Sequence, residues 1–398
     1  MQPERLALTV IPGAGWSAQD IQTVAREAEE AGFDAIFTTE VNNDAMATAQ
    51  LMGACTQRIQ VGTWIANIYA RHCYTCAKGA ELIADATDGR FILGLGVSHQ
   101  PVNEALGIDM TNAPEDLRSY VRDVRSWLRG QGPTTHLPQQ PARRHVPIYL
   151  AVLSLAAVER AAELADGIMP TQWSPERIAQ SAGWAARGRA KAPQLGPLDV
   201  TLGIPTFIGD DLDDLRDAAR QNLVLYTFFP YFQRMYRASG FAAEADQMEK
   251  GAGSDALSDQ LLDSFCLFGP IERCQERLAE FRAAGVDLPI LNPPIGPDAA
   301  RAVIQAFRRE PTTHTPQRGP NQIAVGRRSD NKEHESSTTA ETPPMGSARM
   351  TGYHRRPAPG ASAIPRRPQP SLPRPRRQAI GASANYRPGW FPAGWRSA

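Results

Sequence analysis

Five cysteines in 398 residues, at positions 55, 73, 76, 266 and 274, are too few and too scattered for a disulfide framework. Cys73-Tyr74-Thr75-Cys76 has the spacing of a redox pair, but it falls at a helix start and no second pair accompanies it. Neither redox nor metal use is therefore expected of it, and no cluster of His and carboxylates has metal-ligand spacing. No apolar run reaches 18 residues and no signal peptide precedes Arg5, so a soluble, cytoplasmic protein without membrane contact is expected. Net charge is also missing, because 42 basic residues balance 42 acidic ones.

That balance hides a split. From Pro311 onward the chain has 14 basic and 4 acidic residues, leaving 28 basic and 38 acidic residues before it. The segment also holds 14 of the 33 prolines, and it has few apolar residues to offset the entropy of ordering. Residues 311–398 are thus expected to be a disordered basic tail following a domain of residues 1–310. Such a tail could bind nucleic acid; an unselected extension, for instance a shifted frame past a stop, is the favoured reading.

Before the tail, short apolar strands alternate with helical segments. Leu6–Pro12 is followed by a helix with Ser17 as N-cap candidate and Gly32 at its C-terminal end. Further strands are read in Phe33–Glu40, Arg58–Ile68, Arg90–Ser98, Pro147–Leu153, Asp166–Thr171, Val200–Gly209 and Leu288–Pro294, each followed by helix or a helical region. Eight such units in about 310 residues fit a closed (β/α)8 TIM barrel. A doubly wound open sheet is the alternative, since alternation cannot count closure. The surplus between Asp210 and Phe265 reads as a helical insertion after strand seven, standing on the carboxyl rim.

In a barrel, chemistry is built just beyond the carboxyl ends of the strands. That rule selects Pro12–Gly15, Thr39–Asn43, Trp64–Tyr69, Gly96–His99, Leu153–Leu155, Thr171–Trp173 and Asn292–Pro294. These segments offer amides, small residues, one carboxylate, one imidazole and aromatics, but no defensible Ser-His-acid arrangement. A planar organic cofactor carrying the chemistry itself suits that inventory.

GFDAIFTTEVNNDAMATAQLMGA, VGTWIANIYARH and GRFILGLGVSHQPVNEALGID, followed by LADGIMPT and FGPIERCQERLAEFRAAGVD, resemble the luciferase-like monooxygenase superfamily in order and spacing. The likeness spans Leu6 to about Phe307 and is nearest to the branch using the deazaflavin coenzyme F420. It implies a barrel enlarged after strand seven, hydride transfer to or from a small-molecule substrate, and a homodimer.

For the site, the resemblance places Ala66, Asn67 and Ile68 against the cofactor ring through a bulge, often with a non-prolyl cis peptide. It places Gly96, Val97, Ser98 and His99 against the cofactor's side chain or phosphate, with Gly94 and Gly96 admitting it closely. It places Leu153 and Ser154 at a phosphate site where the next helix begins. Where several branches carry a histidine after strand two, this chain has Glu40-Val41-Asn42-Asn43. Glu40 is then a candidate proton donor or substrate orienter, with a rim ion pair as the plain alternative, Asn42 a candidate carbonyl polariser, and His99 a candidate for substrate contact and proton transfer, with a structural histidine as its plain alternative. Trp64, Tyr69, Trp173, Phe228, Phe229 and Tyr231 are expected to wall the substrate space. An FMN-dependent monooxygenase and a non-catalytic flavin-binding barrel remain the alternatives.

Overall fold

The computed structural model describes residues 4–309 apart from 111 and 134–136; the basic tail lies outside the described residues. Eight parallel strands close on themselves: β1 (Ala7–Val10), β2 (Ala35–Thr38), β3 (Gln60–Thr63), β4 (Phe91–Gly96), β5 (Ile148–Ala151), β6 (Gly167–Met169), β7 (Asp199–Ile208) and β8 (Leu288–Asn292). Closure is made by β8, which pairs with β1 on one side (Ala7 opposite Ile290) and β7 on the other (Leu288 opposite Thr201). The architecture is therefore the (β/α)8 barrel, not an open sheet.

The elements form where local chemistry directs. In helix Ala18–Glu30 the Ser17 hydroxyl accepts from Asp20 N while the Asp20 carboxylate accepts from Ser17 N, a reciprocal capping box. Ile21, Val24, Ala25 and Ala28 form its buried stripe, and Gly32 follows with a φ of +84°. The barrel interior is filled by Ala7, Ala35, Phe37, Ile92, Tyr149, Met169, Leu288 and Ile290. At the amino-terminal end the Tyr149 hydroxyl donates to Asp199, which also pairs with Arg5 at 2.8 Å. That end holds the barrel together and leaves the other for chemistry.

Two departures from regularity prepare the opposite end. First, the expected single strand Arg58–Ile68 is broken: β3 stops at Thr63, a cis peptide joins Trp64 to Ile65, and pairing with β4 resumes only at Ala66–Asn67. Across the break the Thr63 hydroxyl substitutes for the ladder, donating to Gly94 O at 2.7 Å and accepting from Gly94 N at 3.0 Å. Second, β7 outruns the barrel. Its far end pairs with a short strand, Leu267–Gly269, and the insertion between them packs helices Leu212–Leu223, Pro230–Ala238, Ala242–Glu249 and Asp259–Phe265 beyond the rim. Among the described residues, no helix is long and apolar enough to cross a membrane.

Candidate active site at the carboxyl ends of the strands

A cavity of about 620 Å³ opens at the carboxyl ends of β2 to β6. Its wall takes Thr39 and Glu40 after β2, Trp64 and Ile65 after β3, Val97 to His99 after β4, Val152 to Ser154 after β5, and Thr171 after β6. The insertion covers it with Tyr226, Tyr231, Phe232 and Met235. The segments after β1 and β8 do not reach it.

The bulge after β3 faces the cavity through Trp64 and Ile65, two residues earlier than the sequence suggested. Ala66, Asn67 and Ile68 are buried and outside the cavity wall. The physical reason is that Ala66 and Asn67 have rejoined the sheet, and the Asn67 side chain is spent on Asn103 Oδ1 at 2.8 Å and Tyr69 N at 3.1 Å. A Cβ on Gly94 would lie 2.0 Å from Thr63 O, and one on Gly96 would lie 2.8 Å from Ile65 Cδ1. Gly94 and Gly96 thus admit the neighbouring strand and its bulge rather than a ligand, and Gly96 is not in the wall.

Ser98 and His99 do face the cavity. Ser98 has a φ of +59°, a left-handed conformation that few residues other than glycine adopt, so its surroundings must hold this turn. His99 lies flat on Phe229, with ring centroids 4.3 Å apart, and meets Tyr226 and Phe232 at wider angles. Among the described residues no hydrogen bond satisfies either ring nitrogen, and burial pushes its pKa down to about 4. It is therefore a neutral imidazole with unspent hydrogen-bonding capacity. YTFFPYF, which has no clear period as a sequence, splits into a 3-10 turn and the helix from Pro230. Phe229 and Phe232 turn inward while Phe228 stays exposed. Of the other expected wall aromatics, Trp173 is buried in the core and Tyr69 donates to Asp116.

After β2, Glu40 and Asn42 part company. Asn42 is exposed, in a left-handed turn with φ +52°, and outside the cavity wall. Glu40 reaches the cavity but is committed: it pairs with Arg71 and accepts from Asn67 N at 2.5 Å and Ala45 N at 3.3 Å. The rim ion pair is the reading this geometry favours, with Glu40 anchoring the bulge.

Ser154 caps helix Leu155–Leu164, its hydroxyl accepting from Ala157 N at 3.2 Å. Beside Leu153 lies Arg177, a residue absent from the sequence-based candidates. Only 4% exposed, it donates to Leu153 O at 3.3 Å and stands 4.7 Å from the centre of the Trp173 ring, and no carboxylate among the described residues pairs with it. Burial lowers its pKa, and its Nε is a buried donor without a partner. One signal could have revealed it. Arg177 is the third residue of helix Pro175–Ala190, where the helix dipole disfavours a cation. Thr39 Oγ1 and Trp64 Nε1 are likewise buried without partners on the same wall. Among the described residues no group of three or more His, Cys, Asp or Glu could hold a metal ion.

Comparison with known proteins gives this geometry a context. Residues 6–288 match the model of the luciferase-like monooxygenase family. A Mycobacterium tuberculosis protein whose name assigns it provisionally to the coenzyme F420-dependent oxidoreductases is 27% identical over 319 residues, covering 69% of this chain and 92% of its own. The F420-dependent tetrahydromethanopterin reductase of Methanopyrus kandleri superposes with a TM-score of 0.61 at 18% identity, covering 76% of this chain and 97% of that one. The FMN-bound oxygenating component of a Pseudomonas putida diketocamphane monooxygenase superposes at 0.56 with 14% identity, covering 76% and 96%.

Proposed function

The chain belongs to the luciferase-like monooxygenase family, and on that premise we propose that it is an F420-dependent oxidoreductase moving a hydride between the deazaflavin and a small organic substrate. When bound, the deazaflavin supplies two-electron hydride chemistry at its C5. The observation that carries the reading is one cavity whose wall joins the Trp64–Ile65 bulge after β3 to Arg177 and the helix N-terminus at Ser154. This arrangement fits a long ligand that is planar and polar at one end and anionic at the other. Its phosphate would take the Ser154 helix N-terminus and Arg177, and its ring the Trp64–Ile65 bulge.

The chain's own residues then have distinct tasks. Ile65, wedged against Gly96, gives the ring a rigid apolar support. Phe232, Tyr226 and Tyr231 exclude water from the reacting face. His99, neutral because burial holds its pKa near 4, offers a hydrogen bond to a substrate oxygen. Glu40 holds the bulge through Asn67 N. A substrate with a hydroxyl or carbonyl suits this aromatic wall better than an anionic one.

The test is titration of the purified protein with F420 and with FMN, followed by tryptophan fluorescence, then a screen of alcohols and carbonyl compounds against the F420 absorbance band. F420 should bind more tightly than FMN, and at least one substrate class should bleach or restore the band. Preferential FMN binding with oxygen-dependent product would move the protein to the monooxygenases, and cofactor binding without turnover would make it a non-catalytic barrel.

A further inference from the structure

One side chain crosses the mouth of the barrel. Trp64 follows β3, and its backbone N–H donates to Thr38 O at 2.7 Å. Gly62 faces the barrel interior, where a Cβ would lie 2.7 Å from Phe37 Cε1, so Trp64, two positions on, continues on the same side. Its indole packs on the cluster that fills the interior. The far edge of that indole reaches β7: a Cβ on Gly203 would stand 2.2 Å from Trp64 Cζ2 and 2.6 Å from Cη2. Round the closed sheet, β3 and β7 are four strands apart in either direction. The indole therefore spans the barrel from one wall to the opposite one.

Both ends of this contact are held. The Gly203 N–H donates to Pro170 O at 2.9 Å, and its carbonyl accepts from Gln172 N at 3.1 Å and from the Thr171 hydroxyl at 3.3 Å. With its backbone so bonded, position 203 cannot withdraw, and any side chain there would drive the indole edge up into the cavity. The indole also divides the mouth. In front of it the ends of β4, β5 and β6 line the cavity, while behind it the ends of β8 and β1 do not. Thr9 and Asn292, which follow Ala7 and Ile290 on the inward side of those two strands, are absent from the wall. The insertion covers the cavity with Tyr226, Tyr231 and Phe232, so floor and cover together limit its height.

We infer that Trp64 is the specificity-determining residue of this cavity: its indole, seated on Gly203, is an apolar floor that limits the substrate to compact molecules and keeps it off the polar ends of β1 and β8. The inference deepens the oxidoreductase reading above and rests on it for the substrate's chemistry, an alcohol or carbonyl compound. The seating of Trp64 on Gly203 stands without that reading. The selection is steric. A close-packed wall yields little to a larger ligand, whereas removal of a large side chain opens a space that an apolar ligand can fill.

The experiment compares the full chain with its Trp64→Ala, Trp64→Phe, Gly203→Ala and Trp64→Ala/Gly203→Ala variants. Benzyl alcohol and 2-naphthylmethanol, which differ by a fused ring, are titrated calorimetrically with and without saturating F420, and Tm is read for every variant. In Trp64→Ala the naphthyl probe should gain about tenfold over the benzyl probe, as burial of about 55 Å² more apolar surface gives. Trp64→Phe should shift the ratio the same way by less. Gly203→Ala should lower Tm and weaken both probes, because its Cβ forces the indole off its seat. Removing the indole should relieve that clash, so the double variant should match Trp64→Ala within about 2 °C in Tm and about twofold in probe ratio. An unchanged ratio in Trp64→Ala and Trp64→Phe, or no naphthyl binding by either, would overturn the inference. So would a Gly203→Ala penalty that persists in the double variant, since the glycine would then serve the strand and not the indole. If F420 binds none of the proteins while the ratio shifts without it, the cofactor reading falls and the floor stands; if F420 binds and the ratio does not move, the reverse holds.

Discussion

Replacing Arg177 by methionine separates a ligand-binding arginine from a structural one, because the two roles predict opposite signs. In the unliganded protein the 4%-exposed guanidinium has no carboxylate to offset its desolvation, a cost of several kcal/mol for a buried ion. Against this stand its bond to Leu153 O at 3.3 Å and its place over Trp173 at 4.7 Å. A hydrogen bond from a charged donor contributes about 1.5–3 kcal/mol, at the lower end for this length, and a desolvated cation–π contact about 2 kcal/mol. These terms nearly cancel. Methionine keeps most of the stem's length and apolar contact, leaving Leu153 O short of a donor at about 1 kcal/mol. The unliganded variant should therefore lie within about 1 kcal/mol of the parent. For a body of roughly 300 residues that is a Tm change within about 2 °C. Binding is different: loss of a charge-assisted bond to phosphate costs about 1.5–3 kcal/mol, weakening cofactor binding about 10- to 150-fold. Thermal scans without ligand and calorimetric titration with F420 measure the two quantities. A Tm lower by more than about 5 °C with unchanged affinity would refute the argument and make Arg177 a structural residue.

Two further outcomes follow from neighbouring groups. His99 titrates near 4 in the fold and near 6.5 when unfolded. The unfolded chain therefore binds the extra proton, and stability should fall as pH drops from about 6.5 towards 4. Denaturation midpoints at pH 7 and 5 should show a smaller acid loss in His99→Phe, which keeps the stack on Phe229; an identical loss would remove His99 as its source. Glu40→Gln leaves Arg71, whose side chain is 15% exposed, with only Asp44 at 3.3 Å. It should lose about 1–3 kcal/mol of stability in urea denaturation with no displacement of the pH–rate profile. A variant of full stability whose turnover collapses would make Glu40 the proton donor instead.

The barrel was legible in the sequence because its signals are local. Apolar runs of strand length, the Ser17 cap and Gly32 after the first helix each depend on residues a few positions apart; closure itself, which an open sheet would have lacked, came only from β8 pairing with both β1 and β7. Also legible was which strand ends border the cavity, since Ser98, His99, Leu153 and Ser154 follow strand ends directly and all line it. What one sequence could not decide was where a long-range constraint falls. Whether the bulge sits at Trp64–Ile65 or at Ala66–Ile68 depends on the register against β4, where Thr63 takes over the pairing of Gly94. Whether Gly94 and Gly96 admit a ligand or a strand depends on what packs opposite, and it is Thr63 and Ile65. Arg177 reads along the chain as one more helix cation. Only the folded barrel buries it beside Leu153, with no carboxylate among the described residues to pair with it. Strand and cap propensities are properties of neighbours in sequence, whereas register, burial and the absence of a counter-charge are properties of neighbours in space.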